Sequence, residues 1–591
     1  MAKKCRKATG NKKGRRSFSP DAVATQLHLA ICTDLEAAPQ EHCGLASVSP
    51  FWASVQQIQS DCFLSKYQSE RTSKEKLELE AFEKFLKVNQ YLSRVDRKAN
   101  FPYGINRDSR KLSKRMRVHL KARSLVHWVL GELNEDEWFE HCHHGSGSTV
   151  GVPFMDTSVT AKMRPPLTCT LGARTLFSRY LEWDFQAHEV LTEDHQELFS
   201  VVEGSAAMTV DKTSEKRRMI APEPTANMFL QLGLMDVLYA RLRQVGLDVT
   251  KLQEKHRELA WVNSITRECA TIDWSSASDS VGIELLRWLL PPRWFNVLDN
   301  VRCRKMYVNG ALTTLHMFST MGNACTFPLE TLVFWAYAQA CGSLLRDEHT
   351  LLWGSDSLDP RVSVYGDDCI VPEEMVDLYV TILEGVGFTV NPSKTHSGSS
   401  DAFRESCGRD CLTGIDVRPF YIGAPTGRKV SDLESWLYIV INALQSRYIS
   451  YFGRRDWVYD RKLFHVIFDL FREYGIKPKL VPPDYPDDSG IRDVDGVRLA
   501  ANYRVAFSPL AITQAGWVKF PFKRYVYGRK LPENPRVGLW VNHKFPAHLT
   551  FLERLFGWKQ PKQLEYPQKK GGGYVVASGL ASLWLVSLGE G

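Results

Sequence analysis

Two adjacent carboxylates, Asp367 and Asp368, stand at a Gly-Asp turn inside the otherwise apolar run from Val362 to Val371. Apolar arms around such a turn read as a β-hairpin with both acids at its tip. Side by side they repel by roughly 1 kcal/mol in water, and by more where solvent is excluded, unless a cation joins them. Hard carboxylate oxygens suit Mg2+ or Mn2+. An isolated Asp-Asp pair is commonly only a solvated surface turn, and the apolar arms argue against that here.

A third carboxylate, Asp273, ends the strand-like run from Cys269 to Trp274. A polar turn from Ser275 to Asp279 follows, then a helical run from Val281 to Leu290 that Pro291 and Pro292 stop. The turn exposes Asp273 at a sheet edge and sets Asp279 at the helix start, where a carboxylate also serves as a cap. Ser319, Thr320, Met321, Gly322 and Asn323 make a flexible loop of small and amide side chains ahead of the apolar helix from Leu329 to Ala338, with Pro328 in its first turn. Asn323 offers both a donor and an acceptor to a ribose hydroxyl. Upstream, the segment from Asp211 to Arg218 carries Lys212, Lys216, Arg217 and Arg218, the donors that a triphosphate needs. Lys394, after Asn391, Pro392 and Ser393, is placed to protonate a leaving pyrophosphate.

Each piece alone has a plain reading as a cap, a charged loop or a surface lysine. In one chain and one order they describe a centre for joining nucleotides around two divalent ions roughly 3.5 to 4 Å apart. Asp273 and Asp367 would bridge the ions with Asp368 in support. One ion would activate a 3′-hydroxyl for attack on an α-phosphate, and the other would steady the departing pyrophosphate.

Something must hold these segments together. From Glu268 to Pro425 short apolar strands alternate with longer helical patterns, an α+β layout. Further helices are predicted from Leu77 to Val95, on the spacing of Leu79, Phe82, Phe85 and Leu86, from Asn227 to Val245, and from Leu433 to Leu444. After Pro482 the chain turns rich in Pro, Gly and aromatic residues, which suits irregular structure and short strands. The 591 residues are 44% hydrophobic and 24% charged, enough for a large multi-lobed protein and unlike a disordered chain. No apolar run reaches the roughly 20 residues that span a bilayer. The stretch from Tyr574 to Leu588 is too short, is broken by Ser and Gly, and reads as a docking or core element. The net charge of +8 suits a polyanionic partner. Much of it lies between Met1 and Arg16, a run of Lys and Arg with no acid, expected to be a solvated tail that either aids solubility or lies along RNA phosphates. That run shows neither a signal-peptide nor a transit pattern. The 13 cysteines, an odd number without a paired framework, fit the reduced thiols of a cytoplasm.

These segments resemble the RNA replicase catalytic subunits of the leviviruses, the single-stranded RNA bacteriophages. The resemblance runs from about Lys212 to Pro425. It is carried by ATIDWSSASDS (Ala270 to Ser280), FSTMGNACTFPLE (Phe318 to Glu330), VYGDDCIVP (Val364 to Pro372), FRESCG (Phe403 to Gly408) and GIDVRPFYI (Gly414 to Ile422). It implies a right-hand polymerase of fingers, palm and thumb, the palm an antiparallel sheet with helices on one face. Residues 1–20 would be a basic disordered tail, 21–264 mainly fingers, 265–430 palm with about 295–318 returning to the fingers, and 431–591 thumb and C-terminal region.

The implied activity is RNA-dependent RNA synthesis without a primer, copying a viral genome with two Mg2+ ions, for which Mn2+ can substitute, in the cytoplasm of a bacterial host. Asp273, Asp367 and Asp368 match the palm carboxylates. Asp279, Ser319 and Asn323 match ribose-selecting positions, with Gly322 among the nucleotide-binding residues, and Lys212 and Arg218 match the triphosphate cations. Glu215 and Arg217 depart from the family pattern, which leaves the roles of Lys216 and Arg217 open. Implied partners are template RNA, nucleoside triphosphates, host elongation factors Tu and Ts, and an RNA-binding ribosomal protein.

His141, Cys142, His143 and His144 invite a zinc reading. Four adjacent residues do not readily converge on one tetrahedral ion, and a Gly-Ser loop follows, so a structural or RNA-facing loop is expected. Cys407 and Cys411 lack a second pair. Two competing functions remain at this stage. A reverse transcriptase would share the carboxylates, but Asp279 and Asn323 favour ribose. A silent RNA-binding scaffold has no need of all three acids.

Overall fold

The computed structural model describes residues 17–41, 58–69, 72–98, 101, 113–152, 157–192, 197–346, 358–425, 427–452, 461–481 and 486–492, and the strand segments 517–528, 540–541, 564–565 and 573–584. The basic tail to Arg16 and residues 585–588 of the C-terminal apolar run lie outside them.

Continuous apolar runs, rather than alternating ones, mark strands covered on both faces. Cys269–Ile272, Asp368–Pro372 and Ser363–Tyr365 are such runs, and they pair in that order as an antiparallel three-stranded sheet. Helices Thr326–Leu345 and Val376–Glu384 cover one face. There the Tyr379 hydroxyl donates to Phe334 O (3.1 Å) and meets Cys369 Sγ (3.4 Å), while Trp274 stacks on Phe334 with ring centroids 5.4 Å apart. The opposite face, for which no helix was expected, is covered by helix Val249–Thr266 and the hairpin Phe403–Ser406/Arg409–Leu412. Buried His256 on that helix bridges Ser363 Oγ at 3.0 Å and Ser406 Oγ at 2.9 Å. Desolvation pushes its pKa down to about 3, so the imidazole stays neutral and can bridge two hydroxyls.

Arg404 fastens that hairpin to the sheet. Its side chain is fully buried and donates to the carbonyls of Cys269 (2.8 Å), Asp401 (2.7 Å) and Phe403 (2.8 Å) and to Glu373 Oε1 (2.8 Å). Removing it strands buried acceptors and a carboxylate. Arg404→Ala is expected to cost about 3–5 kcal/mol in unfolding free energy, read from denaturant melts; a change below about 1 kcal/mol would show that these contacts do not hold the hairpin to the sheet.

Helix Thr326–Leu345 is buried almost all round and runs through the main core, which also takes in helices Lys114–Leu130 and Thr225–Gln244. A second core forms where Leu27, Ile31 and Leu35 of helix Pro20–Glu41 meet Leu437 and Ile441 of Val430–Phe452 and Leu463 and Ile467 of Lys462–Glu473. The Asp34 carboxylate accepts from Lys462 N (2.8 Å) and Leu463 N (3.0 Å), satisfying orphan donors at that helix start. The first helix therefore packs with residues expected of the thumb, although the sequence grouped it with the fingers. In helix Lys74–Lys98, Phe82, Phe85 and Leu92 pack on Met306, Val308, Leu315 and Met317, whereas Leu79 and Leu86, whose spacing also pointed to the helix, are exposed. In the C-terminal region the strands are longer than expected: Trp517–Gly528 and Gly573–Trp584 pair antiparallel along their whole length. No described helix is long and apolar enough to cross a membrane.

Candidate active site

Register brings the acids together. Cys369 pairs with Ile272 across the sheet, so Asp368 and Asp273 leave neighbouring strands at the same end. The intervening turn is tight: Gly366 has φ +62°, and a Cβ there would lie 2.5 Å from Phe327 Cε2. Gly366 N also donates to Thr331 Oγ1 (2.9 Å), which ties the turn to the buried helix. Asp273 Oδ2 accepts from Asn391 Nδ2 (2.6 Å), and its carbonyl accepts from Asn391 N (2.9 Å). Asp368 Oδ2 accepts from Cys407 N at 3.2 Å and faces Cys407 Sγ at 3.4 Å.

The acids disturb one another. Burial, then the charge of Asp273, raises the pKa of Asp367. Burial, then Asp367, pushes Asp368 up to about 7. Burial also pushes Asp279 up to about 7 against the pull of Lys84 and Arg218, and its Oδ1 has no hydrogen-bond partner. Among the described residues no three His, Cys, Asp or Glu side chains form a closed ligand set. The donor chemistry nonetheless fits a hard divalent cation, because Asp367 and Asp368 are buried carboxylates, each facing the charge of another acid, and a cation between them and Asp273 relieves that repulsion.

Sequence reasoning gave no role to Glu330. It is 2% exposed, accepts from Ser278 Oγ through Oε2 (3.2 Å), and leaves Oε1 without a partner. Burial, then Asp367, holds its pKa well above the usual range. The available signal was a lone carboxylate inside an apolar helical run. Lys84, which pulls on Asp279 and lies on an exposed helix face, carried no such signal.

The cations come from an antiparallel hairpin, Met208–Thr213 with Lys216–Ile220, whose register shifts between Asp211 and Thr213. Lys212 sits at that irregularity, and a bulge re-aims a side chain. Its pKa is lowered by burial, then by Arg218, Lys84 and Lys394, while Asp273 opposes the shift. Arg217 serves the hairpin itself, donating to Asp211 Oδ1 (2.5 Å), Thr209 Oγ1 (2.7 Å) and Thr209 O (2.9 Å). Lys394 lies 4.0 Å from Glu405. Burial lowers its pKa, but Glu405, Asp273, Asp368 and Asp367 together raise it, so it stays charged.

The loop expected to be flexible is fixed. Ala221 N, just past the basic hairpin, donates to Met321 O (2.7 Å), and Gly322 (φ +126°) passes so close that a Cβ would lie 2.1 Å from Ala221 O. Buried Ser319 accepts from Thr326 Oγ1 (2.9 Å), and Asn323 Oδ1 accepts from Cys325 N (2.9 Å), which leaves the Asn323 Nδ2 for a ligand. The His141 to His144 segment turns its rings to different partners: Glu137 O, His141 O and Met163 Sδ. Buried Lys162 fastens the following loop through Gly145 O (2.6 Å) and Gly147 O (2.5 Å).

Comparison with known proteins follows the same line. Residues 20–466 match the family described as RNA replicase, beta-chain. The RNA-directed RNA polymerase beta chain of Enterobacteria phage fr is 33% identical over 359 residues, 60% of this chain and 61% of the relative, so more than a third of that relative lies outside the match. The subunit beta of Escherichia virus Qbeta is 31% identical over 74% of this chain and 68% of its own length. That of Qbeta virus strain MX1 is 31% identical over 83% and 80%. Among solved structures, the RNA-dependent RNA polymerase of bacteriophage phi12 aligns with a TM-score of 0.38 and 11% identity over 85% of this chain and 84% of that one. By its match along residues 20–466 and its likeness to these relatives, the chain belongs to the RNA replicase beta-chain family, whose members named above are RNA-directed RNA polymerase subunits of RNA phages.

Proposed function

We propose that this chain copies an RNA template by joining ribonucleoside triphosphates, with Asp273, Asp367 and Asp368 as ligands of two Mg2+ ions. The observation that carries the reading is the register that sets Asp273 beside the Asp367–Asp368 turn, in the field of Lys212 and Arg218. Bound divalent ions supply Lewis acidity at the 3′-hydroxyl and at the pyrophosphate. The residues do the rest. Asn391 and Cys407 orient Asp273 and Asp368. Lys212 and Arg218 neutralise the incoming triphosphate. The partnerless Asp279 Oδ1 and the Asn323 Nδ2 take ribose hydroxyls, with Ser319 and Gly322 shaping the loop. Lys394, kept protonated by the acids around it, donates charge or a proton to the leaving pyrophosphate.

In this reading residues 265–430 are the palm, helix Pro20–Glu41 belongs with the thumb, and most of the chain before residue 264 forms the fingers. Initiation is primer-independent. The relatives are named as beta subunits, and this chain likewise works with further subunits, for which host elongation factors Tu and Ts and an RNA-binding ribosomal protein are the candidates, in the bacterial cytoplasm. Extension of a primed RNA template with ribo- or deoxyribonucleotides in Mg2+ tests the reading; preference for deoxyribonucleotides would point to a reverse transcriptase.

The raised pKa values set a pH dependence. Unfolded Asp ionises near pH 4, whereas folded Asp368 and Asp279 hold their protons to about 7. Across that window the folded state binds more protons, so without divalent ions stability falls as pH rises. A cation needs the ionised acids. The rise in melting temperature on adding Mg2+ is therefore expected to be small at about pH 5 and to grow by about pH 8. Equal shifts at both pH values in thermal melts would count against carboxylate ligation.

A further inference from the structure

Helix Lys74–Lys98 carries none of the groups given a part in the reaction, yet it is fastened to two segments that do. Phe82 and Phe85 share a core with Met219 and Ala221, at the end of the basic hairpin, and with Met317, just before the loop that begins at Ser319. Glu78 Oε1 accepts from Thr209 Oγ1 of the hairpin (3.2 Å). Asn89 Nδ2 donates to Thr314 O (2.9 Å), and its Oδ1 accepts from His316 N (2.7 Å). At the far end the Asp96 carboxylate accepts from the backbone of Ile283 and Glu284, beside Gly282, where a Cβ would lie 2.9 Å from Asp96 Oδ1. Glu78, Phe82, Phe85, Asn89 and Asp96 recur at helical spacing, so one face of the helix is bolted from the basic hairpin to the segment just past Asp279.

Lys84 flanks that face, next to Phe85. It is exposed and has no ion pair among the described residues. The helix packs on both strand Lys216–Ile220 and the turn Ala277–Asp279, and the Lys84 charge reaches a group on each side. On Lys212 it acts after burial and Arg218. On Asp279, which burial pushes up to about 7, Lys84 and then Arg218 pull the other way. The remaining neighbour of Asp279 with a titrating group is Glu330, on helix Thr326–Leu345, which burial and then Asp367 keep protonated. Arg218 is engaged by the triphosphate in the proposed reaction, so once a nucleotide is bound Lys84 is the cation left to Asp279.

The charge of Asp279 matters to a sugar. Its Oδ1 is buried without a hydrogen-bond partner. A carboxylate accepts a hydroxyl proton in a charge-assisted bond, whereas the protonated acid makes only an ordinary one. Deoxyribose has no 2′-hydroxyl to offer and gains nothing either way. We propose that Lys84 is a positioning residue for ribose selection: held beside the Asp279 turn by helix Lys74–Lys98, its ammonium keeps that carboxylate charged to accept from the 2′-hydroxyl of the incoming nucleotide. The proposal rests on the polymerase reading.

The test compares kcat/KM for a ribonucleotide and its deoxy counterpart in Mg2+ between about pH 6 and about pH 9. In Lys84→Ala the preference for ribose is expected to fall roughly fivefold near pH 7 and to rejoin the wild type by about pH 9, where Asp279 ionises unaided. Lys84→Arg should restore the wild-type profile, and Lys87→Ala, an exposed lysine on the same helix, should not change it. A preference that is unchanged, or lowered equally at every pH, overturns the proposal; the second result would mean that the helix acts through its placement and not through the charge. Melts in a chelator decide the charge without catalysis. The fall in melting temperature that Asp279 contributes ends near pH 7 in the wild type and should continue about one pH unit further in Lys84→Ala, with Asp279→Asn cancelling the difference. Identical profiles overturn the proposal. A wild-type chain that incorporates neither nucleotide overturns the polymerase reading instead, and the melts still decide whether Lys84 keeps Asp279 charged.

Discussion

Asp367→Asn is expected to abolish nucleotide incorporation, a loss on the order of a thousandfold or more, about 4 kcal/mol at the transition state, while RNA binding is retained. The two side chains have the same shape, and the backbone turn is held by Gly366 and Thr331 rather than by the carboxylate. What disappears is one negative charge among three. The same loss has a second consequence of opposite sign. Asp367 is the leading electrostatic cause, after burial, of the raised pKa of Asp368. Without divalent ions the variant should therefore melt at a higher temperature than the wild type near neutral pH. Incorporation assays in Mg2+ and melts in a chelator read the two effects separately. Full activity of the variant would remove Asp367 from the ligand set, and an unchanged melting temperature would mean that the carboxylates do not repel in the free protein.

Gly322→Ala should be the most damaging single methyl group in the site. Its φ of +126° is strained for any residue with a Cβ, and that Cβ would meet Ala221 O at 2.1 Å, a backbone atom that cannot rotate away. A cost of roughly 3–4 kcal/mol in stability is expected. The contact joins the loop proposed to face the ribose to the basic hairpin, so KM for nucleotides should rise in whatever fraction folds. Gly310 provides the contrast: its φ is +81°, but nothing lies within 4 Å of its Cβ position. Gly310→Ala should therefore cost only the conformational strain, about 1–2 kcal/mol. Equal losses in denaturant melts of the two variants would mean that strain, not the close approach to Ala221, governs position 322.

Much of the site was legible because local rules act within a few residues. A Gly-Asp turn between apolar arms has one economical conformation, and the hairpin formed at Ser363–Tyr365 and Asp368–Pro372. Pro292 begins the next helix, Pro292–Val301, having helped to end the one before it. The role of Arg217 was not legible, because whether a cation faces a ligand or its own strand depends on hairpin register and on the irregularity at Lys212. Glu330 was missed for a related reason: periodicity identifies a buried helix, but not which buried position meets Ser278 and the charge of Asp367.

By itself the sequence determined the candidate residues for the proposed reaction, the strands and helices that carry them, and the family resemblance, since these depend on neighbours a few positions apart. Only the tertiary structure decided which surfaces meet. It packed helix Pro20–Glu41 on Lys462–Glu473, pinned Gly322 against Ala221, and stretched residues 58–69 between the basic hairpin and the segment carrying Tyr421. Apolar burial is non-directional: a helix stripe records that it must be covered, not by what. The choice of partner is made by shape and by hydrogen bonds between residues hundreds of positions apart, such as Asp34 with Lys462 and Gln59 with Val417.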